Sequence, residues 1–201
     1  MVLRPIFVAV TQFMMKLNRS FIWALAAMVL VTALYRVFPG RPYGFAPQIA
    51  VALFGGFLFA RSKQYAFALP LLSMLLSDLL YQISYKMGYS MIPGFYSGMI
   101  SNYLLFAAVT VVGFAIRKNN ALSVTAAAVT APTLFFLVSN FMVWAGNGGY
   151  KRPMTFDGLM LCYQDGLPFY QNSLLGTAFF SAIFFGGYYL INRFAGSKRI
   201  A

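Results

Sequence analysis

Apolar residues dominate this chain in long runs, and the polar residues that interrupt them fall at helical rather than strand spacing. In Leu69–Ile83, LPLLSMLLSDLLYQI, the residues Ser73, Ser77 and Tyr81 are four apart and Asp78 lies three before Tyr81. At 3.6 residues per turn they share one face of a helix whose other faces are Leu and Met. Asp78 is the one acidic residue inside any long apolar run. A carboxylate near hydrocarbon costs about 2.5 to 3.5 kcal/mol at mid-membrane on insertion scales, so it persists where it faces a bundle interior, a water-filled cavity or a partner. The stripe is therefore expected to face other helices.

The same pattern predicts six spans: Phe21–Phe38, Pro47–Ala60, Tyr65–Ser84, Gly98–Ile116, Ala121–Ala145 and Ser173–Phe194. Pro39-Gly40 with Pro42 end the first, and Pro132 is a kink in the fifth. The second span is short for a bilayer. In it Ala52, Gly56 and Ala60 recur every four residues, as do Ala178, Ala182 and Gly186 in the sixth, a spacing that lets helix backbones approach closely. Between the fifth and sixth spans, TFDGLMLCYQDG reads as a short surface helix capped by Thr155 and stopped at Gly166 before Pro168. The expected fold class is all-α, an integral membrane bundle of six transmembrane helices forming one domain over residues 20–201. Residues 1–19 form an N-terminal extension, interfacial or disordered. Its apolar core, Pro5–Met15, is too short to span and no small-residue cleavage site follows; a start at Met14 or Met15 is the other reading.

Composition agrees: 61% of residues are hydrophobic and 9% charged, with a mean hydropathy of +0.73. The net charge of +12 would suggest nucleic acid in a soluble protein, but here the basic residues sit between and beside apolar runs, so no nucleic-acid partner is expected. Of the 15 Lys and Arg, ten fall at the termini and in the second–third and fourth–fifth loops, and five on the other side: Arg36, Arg41, Lys86, Lys151 and Arg152. The positive-inside rule then places both termini in the cytoplasm of a multi-pass cell-membrane protein. There is no His, no Glu, one Cys and three Asp, which excludes His-based catalysis, intrachain disulfides and nearly every metal cluster. No enzyme activity and no cofactor are expected.

With this orientation the polar residues of the spans collect on the outer side. Gln48, Asp78, Asn102 and Asn140 lie near outer span ends, with Gln171 and Asn172 just before the sixth span, in a layer roughly 10 Å deep. Tyr81 and Trp144 join them as candidate substrate-binding residues, covered by the two longest loops. Such a cup suits a small polar or amphipathic molecule. Helix–helix hydrogen bonding by the amides is the alternative for each, and an ion pair with Arg36 is the alternative for Asp78. Cys162, alone and without His, reads as packing rather than as a metal ligand.

FAPQIAVALFGG (45–56), LPLLSMLLSDLLYQ (69–82), FFLVSNFMVW (135–144) and LMLCYQDGLPFYQNSLLG (159–176) together resemble a group of bacterial six-helix transport proteins. That group is itself similar to the substrate-binding S components of energy-coupling factor vitamin transporters. The resemblance implies capture of a vitamin or similar micronutrient from outside, working with a transmembrane coupling subunit and ATPases or alone. The first span holds Ala24, Ala26, Ala27 and Ala33 but not the Ala-x-x-x-Ala pair through which many S components dock. No ATP-binding loop occurs, so ATP use would come from a partner. The other function class open to this sequence is a structural or assembly subunit of a larger membrane complex, with the small-residue stripes as interfaces.

Overall fold

A computed structural model describes residues 19–117 and 120–197; the extension before residue 19 lies outside the described residues. The order is α1 (Arg19–Val37), α2 (Gln48–Leu58), α3 (Lys63–Ala66), α4 (Ala68–Lys86), α5 (Met99–Gly113), α6 (Ala121–Ala145) and α7 (Phe156–Ser197). Among the described residues there is no strand, so the fold is all-helical, with six helices of 11 residues or more and the four-residue α3.

Helix α2 is the hub, packing against α4, α5, α6 and α7. Every residue from Gln48 to Gly56 is buried, so the helix is apolar all round rather than on one stripe. Its paired glycines are what let neighbours close in on two sides. A Cβ on Gly55 would stand 2.7 Å from Ala66 O. One on Gly56 would overlap Thr110 O and stand 2.8 Å from Gly113 Cα. Gly113 of α5 returns the contact, since a Cβ there would overlap Leu53 O. Glycine lowers helix propensity by about 1 kcal/mol against alanine, and close backbone packing offsets that. Around this hub Ile49, Leu53, Phe54, Met74, Phe106, Val109 and Phe185 form the main apolar core.

Helices α1 and α4 turn polar side chains inward and large apolar ones outward. On α4, Ser73, Ser77 and Asp78 are buried while Leu72, Leu75, Leu79 and Ile83 are exposed. On α1, Thr32 is buried while Trp23, Leu30, Val31 and Leu34 are exposed. Two helices are long and apolar enough to cross a membrane, Ala121–Ala145 and Phe156–Phe194. At 1.5 Å per residue α2 and α5 extend only about 17 and 22 Å, short of a hydrocarbon core of about 30 Å.

The separate surface helix expected at residues 155–166 is not formed. Thr155 Oγ1 accepts from Gly158 N at 3.2 Å, the expected capping contact, but the helix then runs unbroken through Gly166 and Pro168 to Ser197. Gly166 sits against α6, where a Cβ would stand 2.6 Å from Asn140 Oδ1 and 2.9 Å from the Phe136 ring. It serves helix–helix approach rather than helix termination. Pro168 removes one backbone donor, and the carbonyl it frees, on Gln164, lies in an exposed stretch.

The α7 stripe also differs from expectation: Ala178 and Ala182 are exposed and a Cβ on Gly186 would meet nothing within 4 Å. The buried face runs one position earlier, through Thr177, Ser181 and Phe185.

Candidate functional site

The α4 stripe meets the end of α1. Asp78, 1% exposed, is held through Oδ1 by Arg36 Nη1, and Tyr103 of α5 donates to Oδ2 at 2.9 Å. Arg36 Nη1 also donates to Ser77 Oγ at 2.5 Å. One turn back along the interface, Thr32 Oγ1 and Ser73 Oγ lie 2.9 Å apart. The last carbonyls of a helix have no partner within it. That of Arg36 is satisfied from outside, accepting from Tyr81 OH at 2.8 Å and from Arg41 Nε at 2.6 Å. The Arg36 guanidinium also lies 5.6 Å from the centre of the Tyr81 ring, a cation–π contact. The 88–98 loop seals this corner: Gly94 packs where any Cβ would overlap Asp78 O, and Gln82 Oε1 accepts from Gly94 N and Phe95 N at 3.1 and 3.2 Å.

Beside this corner lies a cavity of about 350 Å³. It is bounded by the end of α1, the α1–α2 loop, the starts of α2 and α5, the second half of α6 and the first half of α7. Arg36, Arg41, Gln48, Asn102, Ser139, Asn140 and Ser173 supply its polar lining, and Phe106, Phe135, Phe136, Phe169 and Tyr170 its aromatic walls. Phe136 and Tyr170 stack with centroids 4.7 Å apart, and Tyr170 OH lies 2.8 Å from Thr133 Oγ1, which fixes that wall. The α1–α2 loop is pinned on α7. Gly44, at φ +86°, abuts Phe169 O where a side chain would overlap, and Asn172 Nδ2 donates to Tyr43 O at 2.8 Å.

Three of the eight residues singled out from sequence, Gln48, Asn102 and Asn140, line this cavity. Asn102 Nδ2 donates to Tyr96 OH at 2.6 Å and Asn140 Nδ2 to Phe136 O at 2.9 Å, so each amide is oriented by its own end of the bundle. Asp78 and Tyr81 stand behind Arg36 and set its position. Asn172 tethers the loop. Trp144 donates to Pro153 O at 2.8 Å in the α6–α7 connection, and Gln171 is exposed; neither lines the cavity. Cys162 is buried, with Sγ 3.5 Å from Asn140 O, a packing position. Among the described residues no group of His, Cys, Asp or Glu is placed to hold a metal.

Sequence reasoning missed Arg41 as a cavity residue and treated Arg36 only as a partner for Asp78. Both belong to the five basic residues that the sequence pattern sets apart from the other ten, and that exception to the expected charge bias was the available signal.

The arrangement defines an all-helical bundle with a cavity of small-molecule size, polar at one corner and aromatic along its walls. The chain belongs to the family described as "Family of unknown function (DUF6580)", whose model matches residues 16–198. No curated protein and no solved structure matches it.

Proposed function

We propose that this protein is a membrane-embedded substrate-binding subunit that takes a vitamin-like small micronutrient into the cavity, and that it is not an enzyme. The observation that carries this reading is the cavity itself, which brings Gln48, Asn102 and Asn140 from three helices to one aromatic-walled space. Pockets of roughly 300 to 1,000 Å³ with a few convergent polar groups suit small ligands. Membrane embedding is supported by the apolar exterior of α1, α4, α6 and α7 around buried Thr, Ser and Asp, an arrangement soluble proteins rarely expose over large areas. In this reading all six long helices are membrane-embedded, with both termini cytoplasmic and the cavity facing outward. Asp78 is ion-paired and so is not free for acid–base work. A coupling subunit with ATPases would supply any energy, by analogy with S components.

Native mass spectrometry of gently extracted protein is expected to show a retained small molecule; bare protein that also binds none when a nutrient mixture is supplied would sink the reading. Orientation is tested separately. A Cys placed at Ser90 is expected to react with an impermeant reagent in intact cells and one at Ser62 to be protected, and the opposite pattern reverses the topology.

A second reading, an assembly subunit of a larger membrane complex, is favoured by one observation. The exposed Ala178 and Ala182, with the half-buried Gly186, line a groove of about 710 Å³ between α6 and α7. Small residues of this kind let another helix approach.

A further inference from the structure

The charge balance of the cavity points to the chemistry of its occupant. Building on the ligand-binding reading above, we propose that the cavity takes a small organic oxyanion, a carboxylate or phosphate on a ring-sized apolar body. The anionic group sits at Arg41 and a hydrogen-bond donor of the body faces Gln48 Oε1.

Two arginines reach the cavity but one carboxylate serves them. Asp78 neutralises Arg36, and the other ion-paired carboxylate, Asp165, is held by Arg152 in the α6–α7 region. No carboxylate among the described residues pairs with Arg41. The side chain is nevertheless fixed, with Nε on Arg36 O at 2.6 Å and Nη1 on Phe45 O at 3.5 Å. Of the five N–H groups of a guanidinium this leaves three, Nη2 included, in the fork that matches a carboxylate or phosphate. The loop that carries Arg41 is itself held by the Phe45 N to Pro42 O turn at 3.1 Å and by Asn172. The cation is thus built into the cavity corner rather than swinging in solvent.

Gln48 gives the second, independent signal. It is 2% exposed, and its Nε2 donates to Thr32 O at 3.3 Å, which fixes the amide orientation. Its Oε1 is buried and has no partner in the protein, an arrangement that natural structures rarely leave unanswered. As Gln48 lines the cavity, a donor on the occupant can supply the missing bond. The walls, Phe106, Phe135, Phe136, Phe169 and Tyr170, suit a flat ring. An ammonium group would face Arg41 with no free carboxylate to receive it.

The test uses the full chain in detergent and three probes with the same donor-bearing ring and different end groups: indole-3-acetate, indole-3-acetamide and tryptamine. Thermal-midpoint titrations are expected to rank the acid above the amide and to show no stabilisation by the amine. Arg41→Gln should weaken the acid by about 10- to 100-fold, the scale of a charged hydrogen bond, and leave the amide unchanged. Gln48→Met should weaken acid and amide alike. A parallel titration with phosphatidylglycerol against phosphatidylcholine separates the two sources of an oxyanion, because an Arg41-dependent shift with the lipid alone assigns the group to a headgroup. Tryptamine binding as well as the acid, or an Arg41→Gln protein that binds the acid normally, overturns the proposal. If native mass spectrometry finds a retained neutral or cationic molecule, the ligand-binding reading stands and the oxyanion proposal falls. If nothing is retained and neither probes nor lipid shift the midpoint, both fall.

Discussion

Asp78→Asn is expected to destabilise the bundle by about 3 to 5 kcal/mol, because it leaves the Arg36 guanidinium without its counter-charge in a corner from which water is largely excluded. The Asp78 side chain is 1% exposed and that of Arg36 17%. The substitution preserves shape, so the loss is electrostatic rather than a packing defect. It also weakens the hydrogen bond from Tyr103, whose acceptor becomes a neutral amide. Arg36→Gln alone should be as damaging, since it strands a buried carboxylate. The double change should recover a large part of either loss, because removing both charges of a buried pair is far less harmful than removing one. Thermal unfolding of the four proteins in one detergent gives the coupling energy directly. A wild-type midpoint for Asp78→Asn would mean that the corner is hydrated and that the pair carries no stability. The effect on ligand retention is expected to be indirect, through the position of Arg36, because Asp78 lies behind the cavity wall.

How much of this was legible in the sequence differs element by element. The buried face of α4 was readable because one period, through Ser73, Ser77, Asp78 and Tyr81, set a few polar residues against a background of leucine; burial followed from the cost of leaving polar groups in apolar surroundings without partners. The close approach at Gly56 was readable because a small residue every four positions has a direct steric meaning. The same spacing in α7 misled. Ala178, Ala182 and Gly186 are equally small, yet the neighbouring stripe, Thr177, Ser181 and Phe185, is the one buried. A small-residue period does not say which of two adjacent faces meets the bundle. The continuity of α7 was hidden for a related reason. Gly166 followed by Pro168 carries strong local stop signals, and only the position of α6 reveals that Gly166 is needed for contact with Asn140 and Phe136. Of the candidate site, the amides Gln48, Asn102 and Asn140 were found by their common depth along the helices. Trp144 and Gln171 shared that depth but not the direction, which depends on helix rotation and on the course of the α6–α7 loop. Arg41 was passed over as a site residue, despite standing out from the charge bias, because a loop arginine beside Pro42 reads as solvated until the loop is seen folded back on α7.

The second large effect is steric and belongs to the hub. Gly56→Ala is expected to destabilise the protein by about 1 to 3 kcal/mol or more, and Gly56→Leu to prevent correct assembly. In a free helix the alanine change would be favourable by about 1 kcal/mol, so a loss isolates the α2–α5 contact from helix propensity. The obstruction is backbone, with Thr110 O overlapping the added Cβ and Gly113 Cα at 2.8 Å, so no side chain can rotate away. Relief would require α5 to move off α2, and α5 carries both Tyr103, which holds Asp78, and Asn102, which lines the cavity. Damage at Gly56 should therefore reach the polar corner. Gly113→Ala, blocked by Leu53 O from the opposite side, should behave alike, and the two changes should not add, because the first displacement of α5 already relieves the second clash. Gly186→Ala serves as the control. Nothing lies within 4 Å of its added Cβ, so its midpoint should stay level or rise. Melting curves for the three single variants and the Gly56→Ala, Gly113→Ala double decide the matter: equal midpoints for Gly56→Ala and Gly186→Ala would mean that α2 and α5 are not in backbone contact and that α2 is not the hub of the bundle.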